Sequence, residues 1–465
     1  HRAPPLPRRT MIHMTTGLAQ AALRAHRPAF AGTAVAALFA ATVVSASTMM
    51  LGTTSTDRPG GLSAAARRQI TENGVGDMAV VLLIGSVYMS IFVVASTMGT
   101  AVAQQHRELA MVRSIGARPR QIRRAVAVQA LAASVPAALA GFVLGGFGAR
   151  WWHAGMVEHG LLPAEAGFRF SWLALPVCLG VAVVTTTLAA FLSALRFSLL
   201  RPARALSEAA TGRRGLGVLR APLGVLAVAG ACAVAVLLSR QPADEAGEGA
   251  FLVLILFCVG AGLLGPRIIG PAAWLVSALV GRFGPSARLA MLNVRSQPRR
   301  FSAAVVPLVL VVGFGLTKIG MRTTAQHRTG TAGSTGEVWL DYVGTGLYAG
   351  FAAIAAANTL AMISFERRRD VALLRVVGSQ RAQVRAMAAW EAVVVAGTAL
   401  LLGSAIALGT LAPILSTAFG SALPYLPWPV PTGVATGTLL LTLLATGLPV
   451  RAVMRRRAIS VVGAT

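Results

Sequence analysis

Long apolar runs alternate with short polar ones along this chain, and the polar ones are too short to be domains of their own. Ten runs stand out, at about 29–51, 78–102, 125–148, 171–195, 218–238, 250–272, 302–320, 344–364, 387–410 and 432–450. A helix needs about 20 apolar residues to cross a bilayer, and these runs reach or approach that length. The pattern predicts an all-α integral membrane protein with about ten transmembrane helices. Residues 53–77 separate the first two runs, and 321–343 separate the seventh and eighth. Neither connection can house a folded domain, since even marginal domains need about 40 residues. Amphipathic stretches at 14–27 and 286–300 precede the first and seventh runs. Each suits an interfacial helix, with Arg24, Arg27, Arg295, Arg299 and Arg300 at the headgroups.

The polar segment after the second run is written twice. His106–Gly116 reads H-R-E-L-A-M-V-R-S-I-G, and 262 positions later Arg368–Gly378 reads R-R-D-V-A-L-L-R-V-V-G. Arg107 pairs with Arg369, Glu108 with Asp370, Arg113 with Arg375, Gly116 with Gly378 and Gln121 with Gln383. Further on, Gln129 aligns with Glu391 and Gly141 with Gly403. Upstream, Leu18–Arg24 aligns with Leu289–Arg295 at an offset of 271. The expected organisation is a disordered N-terminal segment (1–13), a four-helix unit (14–210), a central two-helix linker (211–284) and a second four-helix unit (285–465). An even number of spans per unit makes the duplication parallel, with a pseudo-two-fold axis along the membrane normal.

Charge adds the orientation. The N-terminus, 104–124, 196–220, 267–300, 366–385 and 451–457 together hold 33 arginines and four acids, while the opposite loops hold nine basic and ten acidic residues. This asymmetry places both termini in the cytoplasm. It also accounts for the net charge of +27 without a nucleic-acid partner. The chain has a single lysine, Lys318, without the spacing or following hydroxyl of a phosphate-binding loop, so ATP hydrolysis by that route is excluded. Cys178, Cys232 and Cys258 sit in apolar runs without metal-ligand spacing and read as core packing. No metal site is expected.

Three groups of residues carry the candidate chemistry. In the paired segments, Leu109, Val112 and Ile115, and likewise Val371, Leu374 and Val377, recur at three-residue spacing. Each set makes an apolar strip suited to a cleft on a soluble partner, with Glu108, Asp370, Arg113 and Arg375 orienting it. Gly116 and Gly378 suit a helix end where the chain reverses. In the runs themselves, Ser86, Tyr88, Ser90 and Ser96 of the second and Tyr348, Asn358 and Thr359 of the eighth offer a polar path, or simply bond back to their own helices. Glu391 is the one acid inside a run, and an ion pair with Arg375 or Arg385 is its expected state, ahead of proton coupling. Gly141/Gly145 and Gly403/Ala407 form small-xxx-small pairs that permit close helix approach.

The segments at 107–122 and 369–384 resemble the signature after the second helix of FtsX-like permease domains, the membrane subunits of MacB/LolC/FtsX-type ABC transporters. Arg201-Pro202-Ala203-Arg204-Ala205-Leu206 resembles the element after the fourth helix. The resemblance implies two FtsX-like domains in one chain without the large extracellular domain of well-known members. It implies a separate ABC ATPase, in two copies, that binds ATP and magnesium while this chain holds no cofactor. The paired segments, Arg107 to Gln121 and Arg369 to Gln383, would be its docking points. Export or extraction of an amphiphilic substrate (a lipid, peptide or antibiotic) across a bacterial cell membrane is the implied activity. Two alternatives stay open: a peptide-sensing permease that signals to a partner kinase, and a proton-coupled secondary transporter centred on Glu391.

Overall fold

A computed structural model of the protein describes residues 27–54, 63–105, 111, 116, 118–199, 220–240, 243–296, 298–330 and 334–454. The described residues form fourteen helices and no strand. They are α1 (Arg27–Thr54), α2 (Ala64–Glu72), α3 (Val75–Gln104), α4 (Pro119–Glu158), α5 (Ala174–Leu199), α6 (Arg220–Leu238), α7 (Ala243–Leu264), α8 (Pro266–Val280), α9 (Pro285–Ser296), α10 (Pro298–Thr329), α11 (Thr335–Glu366), α12 (Arg368–Val376), α13 (Arg381–Phe419) and α14 (Pro429–Met454). Nine of the described helices are long and apolar enough to cross a membrane. The disordered segment expected at 1–13 and the interfacial helix expected at 14–27 fall almost wholly outside the described residues.

A tenth span is reached only if a bent pair is counted as one. The run expected to cross continuously at 250–272 is broken: α7 stops at Leu264, and the chain turns by 84° into α8. Gly265 takes φ +33°, and Pro266 lacks the N–H that would continue the helical ladder. Hydropathy alone could not find this break because α8 is nearly as apolar as the span it leaves. It buries Ile269, Ala273 and Val280 and exposes Trp274, Leu275 and Leu279.

Contacts divide the chain into two compact units. The first holds 1–215 with 334–347, and the second holds 216–333 with 348–465. The central helices therefore group with the second four-helix set, and the start of α11 groups with the first.

In the first unit α1 packs on α3, α4 and α5. It suits this central place because small and apolar residues occupy all its sides, and Val44, Met49 and Met50 are wholly buried. Its hydroxyls spend their hydrogen bonds on their own helix, as in Thr42 to the Leu38 carbonyl at 2.8 Å and Thr48 to Val44 at 2.7 Å. Where α1 crosses α4 the backbones nearly touch. A Cβ on Gly141 would lie 2.5 Å from the Leu38 carbonyl oxygen, and one on Gly145 would lie 2.7 Å from that of Thr42. At the far end of α4, Trp339 fills the space beside Gly155 and stacks on His159 at 5.0 Å.

In the second unit α13 is the hub, packing on α6, α7, α8, α9, α10 and α14. Its crossing with α10 repeats the α1–α4 crossing residue for residue. A Cβ on Gly403 would meet Val312 at 2.6 Å, and Gly403 and Val312 are the aligned counterparts of Gly141 and Ala41. A second equivalence was invisible beforehand. Thr53 Oγ1 accepts from the Arg169 amide at 3.4 Å, and its counterpart Thr324 accepts from the Tyr425 amide at 2.8 Å. Each buried threonine pins the loop that leads to the last helix of its own set.

Candidate functional site: the duplicated segment between the second and third helices of each set

The second copy of the repeated segment is a short helix with two unlike faces. α11 ends at Glu366, Arg367 makes the turn, and α12 runs to Val376. Asp370 lies in its first turn and Arg375 in its last, so each charge opposes the end of the helix dipole beside it. The Arg375 guanidinium also donates to the Met454 carbonyl at 3.4 Å, which holds α12 against α14. The chain reverses at Gly378, whose φ of +104° is matched by +100° at Gly116 in the first copy. Gln383 then accepts from the Gln380 amide at 3.0 Å and starts α13. Gln121 does the same for Arg118 at 2.8 Å and starts α4. Both glutamines therefore serve the helix start.

The expected strip of Val371, Leu374 and Val377 is not one exposed surface. Val371 is buried in a cluster with Val384, Ala388, Val450 and Met454, and Leu374 is half-buried. The exposed apolar face is instead Leu373, Val376 and Val377, the last 86% exposed. Spacing defined the period of the strip but not which side faced inward, because α12 has apolar residues on both sides. Asp370 is exposed, and the Arg369 side chain lies outside the described residues, as do Arg107, Glu108, Leu109, Val112, Arg113 and Ile115.

The structure corrects the expectation for Glu391, whose partner is Arg367 rather than Arg375 or Arg385. The guanidinium grips the carboxylate through two nitrogens, one to Oε2 and the other to Oε1 at 3.0 Å, and Asn293 of α9 donates to Oε1. Burial works against the Arg367 charge. The Glu391 hydrogen bond and charge, with Asp370, outweigh it and hold the guanidinium above its ordinary range. One carboxylate thus joins α9, the α11–α12 turn and α13. The signal for this partner was the arginine just before the motif, in the turn between α11 and α12.

The residues proposed to line a path do not gather into a polar surface within either unit. Ser86 donates to the Leu82 carbonyl and Ser90 to Ser86, both buried, while Tyr88 points away and is 60% exposed. Thr359 bonds to the Ala355 carbonyl, Tyr348 sets its ring edge-on to Phe314 at 5.2 Å, and Asn358 Nδ2 is buried. The Ser96 side chain lies outside the described residues. No metal-binding group occurs among the described residues. Cys178 and Cys258 are buried, but Cys232 is exposed on α6 and is not core packing.

Gly378→Ala is expected to cost about 1–3 kcal/mol. The strain comes from the backbone, since a Cβ there would meet nothing within 4 Å. A thermal midpoint equal to wild type in detergent would remove the claim that this turn needs glycine.

Two related sets of membrane helices, each with a polar segment reversing at a glycine, fit a transport permease. A family profile described as FtsX-like permease C-terminal matches residues 80–201 and 343–458, just over half of the chain. The chain belongs to the FtsX-like permease family, as a multi-pass membrane component of an ABC-type transporter. Members of this family typically work with an ABC ATPase. No curated protein matches the chain.

Proposed function

We propose that this chain exports an amphiphilic or hydrophobic molecule (a lipid, peptide or antibiotic) from a bacterial cell membrane, driven by two copies of a separate ATPase. One copy docks at the 106–117 segment and the other on α12. The ATPase supplies the ATP and magnesium site, and the permease supplies the docking surfaces and the path. Both termini and both docking segments lie in the cytoplasm, a placement that the arginine asymmetry supports.

The observation that carries this reading is the two-faced α12. Its inner face is rooted among Val384, Ala388, Val450 and Met454, and its outer face presents Leu373, Val376 and Val377 to whatever binds there. A helix anchored on one side and apolar on the other can pass a push from a soluble partner into α13 and α14. Glu391 is clamped by Arg367 and Asn293. A carboxylate so held is a structural tie, which weighs against the proton-coupled alternative.

The test is affinity purification in mild detergent of the wild type, of an Arg107→Ala/Glu108→Ala/Arg369→Ala/Asp370→Ala variant and of a Leu373→Asp/Val377→Asp variant, followed by an ATPase assay. The wild type is expected to bring an ATPase subunit. The variants should lose at least about tenfold of that activity, the loss expected when a few central contacts carry an interface. A wild-type preparation without any ATPase would overturn the reading.

A further inference from the structure

The two copies of the duplicated segment do not have the same chemistry beside them. The 262-residue offset that aligns the segments carries Arg367 onto Gln105 and Glu391 onto Gln129. Both glutamines are buried, at 3% and 6% exposure. Gln105 Nε2 and Gln129 Oε1 find no hydrogen-bond partner among the described residues. A bidentate charge pair in one repeat is thus a set of neutral amides in the other.

The surroundings differ in the same sense. In the first repeat Thr33 and Met98 are wholly buried, and the Thr33 hydroxyl lies 3.5 Å from the Met98 sulfur. Their counterparts are Ala304, smaller than the threonine, and Leu360, which line a cavity of about 80 Å³ beside Arg367, Asn293 and Glu391. The first repeat has a buried threonine–methionine contact at this position, and packing of that kind is non-directional. The second leaves a void there and holds α12 by a directional charged bond.

We propose that Arg367 and Glu391 are the positioning pair that makes the second repeat the stiff docking point, transmitting movement of α12 to α13 and α9. This rests on the ATPase-driven reading above. The pair cannot be stretched without leaving two charges unpaired in apolar surroundings, so the elements it joins move together. The neutral counterpart in the first repeat yields at lower cost.

The experiment uses the complete permease–ATPase complex in liposomes and reads ATP turnover, bound ATPase and thermal midpoint together. Arg367→Gln/Glu391→Gln, which gives the second repeat the amides of the first, is expected to keep its fold and its ATPase. Its turnover should fall about tenfold, within the usual range of coupling between sites. The reversed pair Arg367→Glu/Glu391→Arg should restore part of that turnover. Gln105→Leu/Gln129→Leu should stay close to wild type. Unchanged turnover in the Gln/Gln variant, or an equal fall in the Leu/Leu variant, overturns the proposed asymmetry while leaving the ATPase reading intact. Absence of ATPase from the wild type overturns both.

Discussion

Arg367→Ala is expected to destabilise the second unit by about 3–5 kcal/mol, the cost of removing one partner from a buried ion pair. Glu391 is 12% exposed and keeps only Asn293 once the guanidinium is gone. Its other neighbours include Phe301, Ile363, Val395 and Val450, which offer a carboxylate nothing. The size of the effect follows from an asymmetry in polar burial. Deleting one partner strands the other, whereas replacing both with uncharged groups of similar shape is close to neutral. Arg367→Gln/Glu391→Gln should therefore be much more stable than Arg367→Ala, although it changes two residues. Thermal unfolding in detergent decides this. The single variant should melt about 10 °C below wild type, taking about 2–4 °C per kcal/mol for a unit of this size. A single variant that melts with the wild type would mean that water reaches Glu391 and that the pair is a surface contact.

Gly141→Leu is expected to prevent the first unit from assembling in its native form. The backbone of α1 approaches so closely that even a Cβ would lie 2.5 Å from the Leu38 carbonyl oxygen and 2.8 Å from Ala41 Cβ. A carbonyl inside a helix cannot swing away as a side chain can, so the helices must separate along the whole crossing. Overpacking costs about 1–3 kcal/mol where neighbours relax, and more where they cannot. Gly403→Leu provides the internal comparison. There the first obstacle is the Val312 side chain at 2.6 Å, and the nearest backbone atom, the Gly313 amide nitrogen, is 3.2 Å away. The Gly141 variant should lose most of its monodisperse protein and the Gly403 variant less. Equal behaviour of the two would show that side-chain contacts set the crossing.

Much of this was legible in the linear pattern because the relevant physics is local. The spans, the duplication and the turns at Gly116 and Gly378 each depend on a few neighbouring residues. A small-xxx-small pair such as Gly141/Gly145 likewise announces a close crossing, although not the helix that crosses it. The polar positions inside the spans were less informative. Ser86, Ser90 and Thr359 look alike whether they line a path or bond to their own carbonyls, and they bond to their own carbonyls.

By itself, then, the sequence determined a helical membrane protein made of two related halves, each with a polar segment reversing at a glycine. These properties follow from hydrophobicity and backbone conformation, which are written residue by residue. Tertiary structure alone decided which arginine meets Glu391, which face of α12 is left to a partner, and where the apolar run after 250 breaks. Each of those depends on which helix ends come together in space. Arg375 and Arg385 lie nearer to Glu391 in the chain than Arg367 does, both faces of α12 were apolar, and α8 was nearly as hydrophobic as the helix it left. Only packing distinguished among them.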